Sequence, residues 1–310
     1  MKNKSTIFLT TIFIIGFLML SGCQNQQKPG ASFVGGTNGL LINFVEGNPP
    51  SYVYDSGSTN FNIIVELKND GEHTIPKSQV EVRISGINPN EFGISPSDLV
   101  RNPSEDLEGV KLIGNNKVPG TTTQIQFPTM SYRGQVLADV QLPIRAEVCY
   151  TYSTKAISKI CIKKDLSDTT SSVCKVREKK QVSSSGAPIQ VTSFEQDQAG
   201  NNKTRFTFTI EQKGNGDVFE KDSKCYSSVS PYTIANKVYV KVDTKLPGLK
   251  CTGLVGGDTE GFVVLSGGKR TIECVQEVMT ETDYNANVEI VLTYDFRNIK
   301  ETTLTVRKQI

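Results

Sequence analysis

The chain of 310 residues carries 34 basic and 32 acidic side chains with no block of like charge, so nothing points to nucleic acid or an anionic surface as a partner. Its one histidine, His73, sits in the turn sequence Gly71-Glu72-His73 and reads as a solvated residue rather than a catalytic base. Seven cysteines without a C-x-x-C spacing argue against zinc, and no metal or cofactor is expected.

Residues 1–22 have the parts of a secretory leader: Lys2 and Lys4, an apolar run over 7–20, and small residues before Cys23. The run is shorter than the ~20 residues of a membrane-spanning helix. Leu20-Ser21-Gly22-Cys23 resembles a lipobox, the site where a cysteine takes a diacylglyceryl thioether and becomes the first mature residue. The resemblance implies lipidation at Cys23, a place on the cell membrane and exposure outside the cytoplasm. An uncleaved anchor with an incidental cysteine is the alternative. Residues 23–38, polar and containing Pro29 and Gly30, read as a tether.

From Gly39 the apolar residues alternate with period two. Strands are expected over 41–45, 61–67 and 80–84, the second closed by the turn residues Asn69-Asp70-Gly71. Ser95-Pro96 offers a cap and a first-turn proline for one short helix. Strands over 111–113 and 121–127 follow, and residues 128–142 read as surface chain. Residues 148–162 read as a hairpin turning near Thr154-Lys155-Ala156. Centred on Lys155, it opposes Tyr150 to Ile160 and Cys149 to Cys161, which predicts a Cys149–Cys161 disulfide.

Residues 39–164 thus form a first expected domain. Residues 165–186, rich in Ser, Thr and Lys, read as a linker, with Lys175-Val176-Arg177-Glu178-Lys179-Lys180 as solvated surface. Residues 187–310 form a second domain, with strands over 189–194, 205–212, 237–243, 249–252, 262–265, 271–275, 288–295 and 302–307. No segment keeps helical periodicity for three turns. The fold class is therefore all-β.

Two echoes link the halves. Phe61-x-x-x-Val65-Glu66-x-Lys68-x-Asp70-Gly71-Glu72 matches Phe206-x-x-x-Ile210-Glu211-x-Lys213-x-Asn215-Gly216-Asp217, and Val148-x-Tyr150-Thr151-Tyr152 matches Ile290-x-Leu292-Thr293-Tyr294 ahead of a final hairpin. Two matches in one order suggest a duplicated unit. Short strands at close intervals in units of this size suit an immunoglobulin-like sandwich. Val65-Glu66-Leu67-Lys68-Asn69-Asp70-Gly71 resembles the strand and turn of CARDB-like and related immunoglobulin-like modules of archaeal and bacterial surface proteins. The second copy departs from that pattern at Gly214. The resemblance implies two tandem sandwiches used for adhesion, spacing or assembly, and it carries no catalytic residue.

Of the remaining cysteines, Cys251 and Cys274 lie in strand-like stretches and are paired, which leaves Cys174 with Cys225; four cysteines allow three connectivities. Asn202-Lys203-Thr204 is a glycosylation sequon. The chain holds no G-x-S-x-G, phosphate loop or H-E-x-x-H. Glu105-Asp106 and Asp217 with Glu220 read as solvated loop acids, and Asp197, Asn201 and Asn202 fit no calcium loop. Tyr52, Tyr54, Tyr132, Tyr226 and Tyr232 are candidates for a recognition surface. The expectation is a non-catalytic envelope protein, membrane-attached, with an envelope protein or a glycan as partner. The alternatives are a subunit of a pilus or secretion complex and a hydrolase using loop carboxylates.

Overall fold

Buried side chains occupy every even position from Ile144 to Ile162, with no break at the expected turn. One face of one long strand requires this pattern. The computed structural model describes residues 33–114, 116–170, 173–225 and 231–309. The leader and Cys23 lie outside the described residues.

In chain order the first strands are β1 (Leu40–Phe44), β2 (Tyr52–Tyr54), β3 (Ile64–Asn69), β4 (Val80–Ser85), β5 (Val100–Arg101), β6 (Lys111–Ile113), β7 (Asn116–Val118), β8 (Thr122–Gln126) and β9 (Val140–Ile162). Then come β10 (Glu178–Lys180), β11 (Ser183–Ser184), β12 (Ile189–Gly200), β13 (Lys203–Gln212), β14 (Asp217–Phe219), β15 (Lys237–Asp243), β16 (Leu249–Thr252), β17 (Glu260–Val264), β18 (Lys269–Glu277) and β19 (Tyr284–Arg307). The fold is all-β. The helix expected after Ser95 is a single 3-10 turn, Pro96–Leu99, its start held by the Ser95 N–H donating to the Asp98 carboxylate at 3.0 Å.

β9 and β19 pair antiparallel from Val140↔Val306 to Ile162↔Tyr284 without a register shift. They are the spine of a sheet ordered β17-β15-β19-β9-β4-β5. β4 extends it beside residues 145–150 of β9, and β15 extends it beside residues 289–293 of β19. Two further sheets, β1-β3-β8 and β10-β12-β13-β18-β16, cover its inner face, giving two β-sandwiches with one sheet in common. A single apolar core runs from Leu40 to Val306. The sequence echoes fall on matching elements: β3 and β13 are the middle strands of the two covering sheets, and Tyr152 pairs directly with Tyr294. A local two-fold therefore passes between these tyrosines.

Several expectations are corrected. The hairpin over 148–162 is the straight strand β9, and the final hairpin is the straight strand β19. Ser153-Thr154-Lys155-Ala156 contains no Gly, Pro, Asn or Asp, and partner strands are available on both sides. Cys149 and Cys161 therefore lie about 40 Å apart at ~3.3 Å per residue and do not bond. Cys149 is bonded to Cys225 and Cys161 to Cys174, so the Cys174–Cys225 pairing also fails; Cys251 is bonded to Cys274. The stretch read as a linker does not separate two bodies. Within 165–186, β10 pairs with β12, β11 pairs with β9, and 32–310 is one compact unit. Residues 128–142 run mostly over the surface, with Met130 and Val136 buried.

Candidate functional site

The middle of the common sheet presents Tyr150, Tyr152 and Tyr294, all buried, to the line where the two covering sheets meet. Their phenols engage backbone from both halves. The Leu40 N–H donates to Tyr150 at 3.0 Å, the His73 N–H to Tyr152 at 3.2 Å, and the Ile189 N–H to Tyr294 at 3.3 Å. Burial pushes all three phenols above the ordinary tyrosine range, so they stay protonated and neutral. His73 is half-buried rather than solvated. Its ring meets that of Tyr152 edge-on at 5.2 Å, and burial, aided by the charge of Lys155, lowers its pKa.

Beside this line the covering sheets leave a concavity of about 560 Å³ over β19. Its walls come from three distant segments: 37–39 ahead of β1, 214–217 after β13, and 296–300 of β19. Thr37-Asn38-Gly39 and Gly214-Asn215-Gly216 are turn sequences, which is why the chain reverses at these points and exposes backbone. Gly216 has φ +143°, and a Cβ there would lie 2.5 Å from both the Arg297 carbonyl and the Asn298 Oδ1. The Gly216 backbone thus closes directly onto the Asn298 side chain.

Asn298 Nδ2 donates to the Leu40 carbonyl at 2.6 Å, while its Oδ1 is buried without a hydrogen-bond partner. Arg297 donates to Asp217 at 2.8 Å, lies 4.0 Å from Glu147, and covers the Phe219 ring at 5.0 Å. The groove is therefore lined by Asn38, Asn215, Asn298, Lys300 and turn backbone beside Ile42 and Phe296, while the Arg297 guanidinium lies over Phe219 on the other face of the sheet. Among the described residues lining it, Asp217 is the one carboxylate, and its partner Arg297 holds it. Such a donor and acceptor set suits a polar ligand held by hydrogen bonds.

The candidates read from sequence are dispersed. Cys149–Cys225 ties the 219–225 loop onto the outer face of the common sheet. There Asp295, buried, accepts from Thr151 Oγ1 at 2.7 Å and from the Lys224 N–H at 2.7 Å. Asn202 is exposed at the tip between β12 and β13. Asp197 is engaged by Arg177 and Arg205, Glu220 by Lys237, and Asp106 accepts from the Lys77 N–H. Tyr52 and Tyr54 are exposed together on β2, with Arg307 over the Tyr52 ring at 4.0 Å. Tyr132 instead packs on Phe92, Tyr232 stands exposed elsewhere, and Tyr226 lies outside the described residues. Sequence reading missed Arg297, Asn298 and the three seam tyrosines as a group. The two Asn-Gly turns were the available signal.

No family model matches the chain, and no curated protein matches it. Among solved structures it is weakly similar to the envelope protein VP37 of White Spot Syndrome Virus, at 6% identity and a TM-score of 0.24, over 48% of this chain and 98% of that one. A red sea bream transglutaminase gives 9% identity and a TM-score of 0.16, over 88% of this chain and 32% of that one. The native conformation of E. coli alpha-2-macroglobulin gives 13% and 0.17, over 87% and 17%. At scores of this size none of the three defines the fold of this chain.

Proposed function

We propose that the chain is a lipid-anchored, extracytoplasmic binding protein of the cell envelope. It is built from two immunoglobulin-like repeats and holds a glycan in the seam groove without catalysis. The observation that carries the binding role is the groove's composite wall, in which Asn298 binds the Leu40 carbonyl through its Nδ2 and turns an unpartnered buried oxygen toward Gly216. Three disulfides fit a protein folded in an oxidising, extracytoplasmic compartment. Leu20-Ser21-Gly22-Cys23 supports the anchor.

The repeated strand order supports the immunoglobulin-like part. β1-β3-β8 lies opposite β4-β9, and β12-β13-β18 lies opposite β15-β19. In a self-contained sandwich of this kind the last two strands close as a hairpin. Here each half sends its long strand straight on and receives the other half's strand in place of the return arm.

Titration of isotope-labelled protein with cell-envelope oligosaccharides tests the binding role. Amide shifts at 37–39, 214–217 and 297–300, lost in Asn298→Leu, are the expected result; shifts confined to other surfaces, or none across the panel, overturn it. Labelled lipid incorporates into the wild type and not into Cys23→Ser if the anchor is correct. One observation favours a second reading, a subunit of a surface assembly. Among the described residues, the edge of β19 that faces away from β9 is unpaired between Arg297, the last residue beside β14, and Thr305, the first beside β2. Such an edge accepts an added strand. Co-purification of a partner under mild detergent, lost on Thr303→Pro, would favour that reading.

A further inference from the structure

β6 and β7 form a two-stranded ribbon that pairs, among the described residues, only with itself. Every described residue of its strands is exposed, including Leu112, Val118 and Ile113, the last at 64%. A lone ribbon is marginal in water, and three aliphatic side chains on it are exposed. Lys111 and Lys117 flank them, and no acidic residue lies between Lys111 and Val118.

The stem of this ribbon and the point where the chain enters the fold share one turn. The Glu72 carboxylate accepts from the N–H groups of Val34 and Gly35, both at 2.9 Å. On the adjoining residue, the Gly71 carbonyl accepts from the Val110 N–H at 2.7 Å, one residue before the ribbon begins. The base is rigid: Leu107 and Val110 are buried, and Leu107 bridges to Ile75. Ten peptide steps separate Cys23 from Phe33, a reach of at most about 35 Å. A chain attached at Cys23 therefore holds this corner of the molecule next to the bilayer.

We infer that the β6–β7 ribbon is a second membrane contact, bringing Leu112, Ile113 and Val118 to the headgroup–acyl boundary with Lys117 at the level of anionic headgroups. This rests on the anchored reading above. The occupant is a lipid surface because the tether leaves from the same turn and because the ribbon itself holds no acidic residue, Glu108 at its base being paired with Lys111 at 2.6 Å. The contact would fix the orientation of the anchored body relative to the bilayer.

The chain contains no tryptophan, so Ile113→Trp introduces a single fluorophore, and Val255→Trp, at an exposed site in the second half, is the control. Lipidated protein is bound to phosphatidylcholine–phosphatidylglycerol vesicles with brominated acyl chains. Indole emission from the Ile113→Trp protein should shift to the blue and be quenched, while emission from the Val255→Trp control should not change. Adding Leu112→Asp and Val118→Asp to Ile113→Trp should abolish the quenching while the protein still floats with the vesicles. Flotation of the Ile113→Trp protein with its emission unquenched overturns the ribbon contact and leaves the anchor standing. Lipid-modified protein that fails to float removes the anchor and the contact together.

Discussion

At the residue scale the seam is decided by a few contacts that admit sharp tests. The His73 ring is less basic in the fold than in the unfolded chain, because burial disfavours its charged form. Unfolding below the ordinary histidine pKa of about 6.5 therefore takes up a proton. The stability that comes from a neutral ring is complete above that value and is lost as pH falls toward the folded pKa. This is the chain's one histidine, and no other side-chain type ordinarily titrates between about pH 7 and about pH 5.5. The urea midpoint of the wild type should fall across this window, and His73→Gln should flatten the slope. A flat wild-type profile would mean that the folded ring takes its proton freely. Gly71 gives a second test. A Cβ there would lie 2.1 Å from the Tyr152 hydroxyl and 2.6 Å from the carbonyls of Asn38 and Gly186. Gly71→Ala should cost roughly 1–3 kcal/mol by overpacking. Tyr152→Phe, which leaves the His73 N–H without its acceptor, should cost about 1–2 kcal/mol. The double variant should recover only part of the alanine's cost, since the two carbonyls remain; chemical denaturation measures all three.

Among elements, the bridges constrain very different lengths of chain. Cys149–Cys225 spans 76 residues, and Cys161–Cys174 spans 13. On the loop-entropy model these are worth about 4.5 and about 3 kcal/mol. Replacing the first pair by alanines should lower the denaturant midpoint more than replacing the second. An inverted order would assign the larger effect to the Cys161–Cys174 loop's own packing on β9. The strands themselves were legible because period two is a local property: 237–243 and 249–252 coincide with β15 and β16 to the residue. Whether a strand turns or continues is not local. The even-numbered residues of 148–162 face one side either as a hairpin centred on Lys155 or as one straight strand, so alternation alone does not distinguish them. The absence of Gly, Asn, Asp and Pro from 144–162 was the discriminating signal. In β19 even that signal is mixed, because Asn298 stands where a turn was expected. The groove was less legible still. Asn298 and Leu40 meet across a separation of 258 residues, and nothing in either neighbourhood encodes the other.

For the whole molecule, the exchange of long strands turns two repeats into one cooperative body. Tandem sandwiches on a linker would unfold separately, each keeping its own core. Here, unfolding the second half strips residues 153–162 of β9 from their partners on β19 and frees the C-terminal part of β19 that covers the first half. Thr154 loses the Tyr294 hydroxyl in the same event. Calorimetry should therefore give a single transition, with calorimetric and van't Hoff enthalpies in a ratio of about 1. A stricter test places the damage in one half and reads it in the other. Phe208, fully buried on β13, lies in the second half, and Phe208→Ala should cost about 3–5 kcal/mol. If the common sheet couples the halves, hydrogen exchange of the β3 amides, in the first half, should accelerate by the same free energy as that of the β13 amides. Acceleration confined to β13, β12 and β18 would mean that the first half survives alone, and that its long strand keeps its place without the partner supplied by β19.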